Sequence, residues 1–74
     1  MATDGVFSRI YATMQEGTLK YGANTWREQS VVEHLNHIDE HVRCARNHFT
    51  DEDHLAHAVV RLLMVMEMES DGLA

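Results

Sequence analysis

Apolar residues recur at helical spacing in three stretches of the chain, and nowhere do they alternate with polar ones as a half-buried strand would require. In the first stretch Phe7, Tyr11 and Met14 share one face, with Val6 and Ile10 beside it. This predicts a helix from about Asp4 to Lys20, weakened by Gly17 and stopped by Gly22, a natural left-handed residue just past its end. The segment Gly22 to Arg27 is then a short connection that holds the only tryptophan, Trp26.

The second stretch carries two capping-box patterns, Thr25-x-x-Glu28 and Ser30-x-x-Glu33, and the helix starts at one of them. Its apolar stripe is Val31, Leu35, Ile38, Val42, Ala45 and Phe49. His34, His37, His41, Cys44 and His48 form a second stripe about 100° round the helix. The third stretch opens on Thr50-Asp51-Glu52-Asp53, a capping box with acids at the positive end of the helix dipole. It runs to about Glu69 with Leu55, Val59, Leu62 and Met66 as the expected core face. From Ala58 to Met66 it is apolar nearly all round, Arg61 excepted. A helix apolar on every side is buried on every side, and three short helices cannot surround one of their own. The pattern therefore predicts an all-α, three-helix unit that assembles into a homo-oligomeric bundle, a dimer or larger, with the third helix near its centre.

Seventy-four residues make a single domain, 1–74, with a small core. Cys44 is the only cysteine, so a disulfide within the chain is excluded, and a lone thiol fits a reducing, cytoplasmic setting. The start MATDGVFSRIYA lacks the basic segment and apolar run of a signal peptide, and the apolar stretch before Met66 is too short to span a bilayer. With 12 acidic against 6 basic residues, a net charge of −6, double-stranded nucleic acid is not the expected ligand.

Chemistry concentrates in the histidines. Glu33-His34-Leu35-Asn36-His37 and Asp53-His54-Leu55-Ala56-His57 each place two imidazoles on one helical face, and His41 extends the first pair by a turn. His54 and His57 can grip one divalent ion, with His34, His37 or His41 completing the set and Glu33, Asp51 or Asp53 as oxygen donors. The plain alternative is a set of interface histidines bonded to carboxylates or backbone. Cys44 lies one turn from His41 and His48, but a small buried thiol on a helix is ordinary packing. There is no glycine-rich phosphate loop. Any phosphate grip falls to side chains, with Lys20, Arg27 and Arg61 as the cations. Arg61 stands out, because an arginine inside an apolar run is costly unless it meets a carboxylate or a bound anion. Tyr21 and Trp26 could stack a base, or close the core beneath the connection.

Taken in order, Gly17-x-x-Lys20-Tyr21-Gly22-x-Asn24-x-Trp26, a histidine-bearing helix at His34, and His54-Leu55-Ala56-His57-Ala58 opening an apolar helix resemble the phage family of dATP/dGTP diphosphohydrolase N-terminal domains. The likeness runs from about Gly17 to Met66. That family is similar in outline to all-α nucleoside triphosphate pyrophosphatases of the MazG type, whose divalent ions sit on E-E-x-x-E and E-x-x-D helices. Here the matching helices read Glu33-His34-x-x-His37 and His54-x-x-His57, so histidine replaces most of those carboxylates, whereas magnesium prefers oxygen ligands.

The resemblance implies a small phage-type nucleotide-handling protein, in a host-cell cytoplasm, that cleaves a purine deoxynucleoside triphosphate to the monophosphate and pyrophosphate. It implies a divalent metal (Mn, Mg or Zn) near His34, His54 and His57, with Glu33 or His37 orienting water. Lys20, Tyr21, Trp26 and Arg61 would hold the nucleotide. Two non-enzymatic functions fit the same residues: a helical oligomer that sequesters a nucleotide or nucleotide signal, and a counter-defence module that inhibits a host protein.

Overall fold

Helix α1 spans Ala2–Tyr21, and a 3-10 turn, Thr25–Glu28, follows it. Helix α2 spans Val31–Arg46 and helix α3 spans His54–Ser70, in a computed structural model that describes residues 2–72. The all-α class is as the periodicity predicts, and no strand occurs among the described residues. None of the helices is long and apolar enough to cross a membrane.

Local chemistry sets each boundary. The first helix stops where Gly22 and Asn24 take left-handed backbone angles, φ 86° and 69°. At Gly22 any side chain would be strained, so glycine suits the turn. Of the two capping boxes before α2, only the second forms. The Ser30 hydroxyl accepts from the Glu33 N–H while the Glu33 carboxylate accepts from the Ser30 N–H. Thr25 instead donates its hydroxyl to the Gly22 carbonyl and heads the 3-10 turn. The third helix starts later than Thr50. His48 turns left-handed at φ 62°, and Asp53, not Thr50, caps the helix by accepting from the Ala56 N–H.

Helix α3 lies at the centre of the chain and packs on α2 along one side and on α1 along the other. Its inward residues are His54, Ala56, Ala58, Val60, Val65 and Met68. The expected core face points outward instead: Leu55 is 55 % exposed and Met66 60 %. The reason is the α2–α3 contact, which runs through small and polar side chains. On α2 the inward stripe is Val31, His34, Ile38, His41 and Ala45, which lies between the apolar and histidine stripes of the sequence. Leu35, Val42 and Phe49 remain exposed. Burying histidine in place of leucine is tolerable only because the imidazole nitrogens find partners.

Two ion pairs tie the ends of α3 to the rest. Arg9 grips both oxygens of Asp53 at 2.8 Å, which fastens α1 to the start of α3. Arg27 reaches Asp71 at 2.6 Å and Glu67 at 3.9 Å, which fastens the 3-10 turn to its end. The Arg9 hydrogen bonds hold the Asp53 carboxyl down at about 2. Thr13 is buried on α1 without penalty, since its hydroxyl donates to the Arg9 carbonyl.

Candidate functional site

The α2–α3 groove contains two polar networks. Both arise from the antiparallel pairing of the helices, which sets His34 against Arg61 and His41 against His54 and His57.

The first network is centred on His34, the most deeply buried large side chain at 0 % exposure. Its Nε2 lies 2.9 Å from the Trp26 carbonyl and its Nδ1 lies 2.9 Å from an Arg61 guanidinium nitrogen. A carbonyl only accepts and a guanidinium only donates. His34 is therefore the neutral tautomer with its proton on Nε2. The same Arg61 nitrogen donates to the Gln29 amide oxygen. Trp26 meets His34 edge-on and carries the Arg27 guanidinium over its ring at 4.5 Å. Burial pulls the Arg61 pKa down from its ordinary value.

The second network lies where α2 ends and α3 begins. Glu52, in the connecting loop, brings its Oε1 to 3.6 Å from His41 Nδ1, 3.7 Å from His57 Nε2 and 3.9 Å from His54 Nδ1. His41 stacks on His57 with ring centroids 5.0 Å apart, and its Nδ1 lies 2.9 Å from His54 Nδ1. His54 Nε2 donates to Asp51 at 2.8 Å, which pulls the Asp51 pKa below the usual carboxylate range. Burial first, and then the neighbouring His57, lower the pKa of His41. Both causes favour the neutral, ligating form of the ring.

His41, Glu52 and His57 offer donor atoms that all lie within 4.8 Å of one another. Donors sharing one ion at bond lengths of about 2.0–2.1 Å stand about 3 Å apart, so small side-chain shifts would close this set around an ion. Two imidazoles and a carboxylate suit manganese, zinc or iron better than magnesium. The Asp51–His54 pair supplies the outer carboxylate–histidine contact that orients ligands in metal sites.

The residues expected from sequence are divided between these places. His54 and His57 are together in the second network, while His34 belongs to the first, with both nitrogens engaged. Glu33 serves as the cap of α2, and His37 is exposed on its outer face. Lys20 pairs with Glu16 at 3.4 Å on the surface and Tyr21 is exposed, whereas Trp26 and Arg61 meet through His34. His41, one of the three residues expected to complete the His54–His57 pair, is the one that lies beside it. Glu52 is an oxygen donor that the sequence pattern hid inside an apparent capping box, although its position just before a His-x-x-His helix was a usable signal.

A family model described as the N-terminal domain of dATP/dGTP diphosphohydrolase matches residues 5–73. The chain belongs to this family. The match takes in most of α1, all of α2 and α3, and both groove networks of this diphosphohydrolase N-terminal domain. No curated protein and no solved structure matches it significantly.

Proposed function

We propose that this diphosphohydrolase-family domain takes part in metal-assisted cleavage of a purine deoxynucleoside triphosphate to the monophosphate and pyrophosphate. The observation that carries the reading is the convergence of His41, Glu52 and His57 in a chain of this family. These three residues would hold a divalent ion, with His54 beside them as a positioning group or fourth donor. Such an ion supplies charge neutralisation at phosphate oxygens and acidifies water.

The chain's own residues contribute the remainder. Desolvation lowers the His41 pKa and so favours the neutral ring that a metal needs. Asp51 fixes the orientation of His54. Arg61 stands one helical turn beyond His57 on the same face, so a cation faces the groove about 6 Å along the helix. The outward stripe of Leu55, Val59, Leu62 and Met66 supports assembly with a second copy, which would bury apolar surface left open in the single chain.

Ion-exchange analysis of products tests the activity. The protein is incubated with each dNTP and NTP in the presence of manganese, magnesium or chelator. Monophosphate and pyrophosphate appearing with metal, and lost in Glu52→Gln, are expected. Intact nucleotide under every condition overturns the catalytic reading and favours sequestration.

A further inference from the structure

Arg61 differs from the other paired cations of the chain. Arg9, Lys20 and Arg27 all face carboxylates at the surface. Arg61 is half-buried, yet among the described residues its hydrogen bonds go to two neutral acceptors, the Gln29 amide oxygen and His34 Nδ1. His34 cannot supply negative charge, because its own proton is committed to the Trp26 carbonyl. The groups that favour its charge without bonding to it are the Tyr21 phenol first and then Glu33, whose carboxylate is engaged in capping α2. A guanidinium keeps its charge at any physiological pH, and removing it from water without a counter-charge is costly. In a chain with twice as many acids as bases, a carboxylate partner was readily available by composition.

The geometry also leaves donors over. Both contacts of Arg61 use a single terminal nitrogen. The other terminal nitrogen and Nε have no partner among the described residues, and they form the fork that binds an oxyanion through two parallel hydrogen bonds. Gln29 and His34 fix the plane of that fork from one side.

We infer that Arg61 is an anion-binding group that takes phosphoryl oxygens, with Gln29 and His34 as the positioning residues that aim it. In naming a phosphate as the anion, this rests on the nucleotide reading above. His57 and Arg61 share a face of α3, so one end of a di- or triphosphate meets the guanidinium while the other points toward Glu52 and His57.

The test uses the full chain, stripped of metal with chelator, in low-salt buffer. Inorganic pyrophosphate is titrated in and followed by calorimetry and by the NMR signals of Arg61 Nε–H, the His34 ring and the Trp26 indole. Saturable binding that moves these three signals is expected. Arg61→Met should weaken it by roughly tenfold or more, with Arg61→Lys in between because it keeps the charge and loses the fork. Added salt should weaken it further. Binding that leaves the wild-type signals unmoved, or that survives Arg61→Met undiminished, overturns the inference. So does a wild-type oligomer that ignores pyrophosphate and dissociates in Arg61→Met, since the counter-charge would then come from a second copy. If Arg61→Met fails to fold, the wild-type signals decide. Chelated protein reports nothing about turnover, so failure of hydrolysis and failure of this site are separate results.

Discussion

Near Trp26, His34 has one nitrogen donating to a carbonyl and the other accepting from Arg61, so the ring has no capacity left for a ligand. Two turns along α2, His41 crowds with His54 and His57 around one carboxylate oxygen, and only His54 has a firm outer partner, in Asp51. The two networks use the same side chain on the same pair of helices in opposite ways. The difference lies in what faces each ring. A ring between a fixed acceptor and a fixed donor is a packing element that orients its neighbours. In the second network the His41–His54 hydrogen bond satisfies one nitrogen of each ring, while the His57 ring and the other His41 nitrogen have no hydrogen-bond partner among the described residues and keep capacity for a cation.

Mutations that break this contrast should have graded effects. The largest is expected for His34→Ala, which leaves the Trp26 carbonyl without a partner, takes one of Arg61's two acceptors and opens a cavity. A loss of about 2–4 kcal/mol in urea denaturation is expected. An equal loss from His37→Ala, on the exposed face, would remove the distinction between buried and exposed histidines. Next comes Glu52→Gln. Outer partners of metal ligands are worth roughly 10–100-fold in affinity, so removing a direct donor should cost at least roughly tenfold, measured by manganese or zinc calorimetry. Its fold stability without metal should change little, because the Glu52 carboxylate lies at the surface and makes no hydrogen bond shorter than its 3.6 Å approach to His41 among the described residues.

Smaller effects sharpen the frame around the groove. Ser30→Ala removes the hydroxyl half of the α2 capping box and should cost about 1 kcal/mol, read by thermal unfolding. The smallest concerns acid. Asp53 is held at about 2 against an ordinary 3.8, so its pair with Arg9 stabilises the fold fully above 3.8. That contribution is lost as the pH falls through about 2. In metal-free protein Asp53→Asn should flatten this part of the acid-unfolding profile and lower stability near pH 7 modestly, by what the wild type loses on acidification, because the pair lies at the surface. An unaltered profile would mean that Arg9 does not hold Asp53 in solution.

The number of helices, their class and the Ser30 cap were legible in the sequence, because periodicity and capping are local. The inward faces were not. Leu55, Val59, Leu62 and Met66 read as core by hydrophobicity, yet α3 turns Ala58, Val60 and the histidine side inward. Mutual satisfaction of His34 with Arg61, and of His41 with His54, depends on the antiparallel register of two helices and cannot be seen along one of them. The metal candidates suffered similarly. The His54–His57 pair is a one-helix pattern and was visible, whereas the nearness of His41, rather than His34, to that pair required the register, and that of Glu52 required the path of the loop. Arg61 was conspicuous by its apolar surroundings, but its neutral partners emerged only in three dimensions.

The claim that the two networks differ in kind is tested most directly by titrating manganese into the wild-type protein, His57→Ala and His34→Gln, each checked for helicity by circular dichroism. One ion per chain in the wild type and in folded His34→Gln, with none in His57→Ala, is the expected result. Retention of the ion in His57→Ala, or its loss from folded His34→Gln, would contradict the account and place the metal-binding histidines elsewhere in the groove.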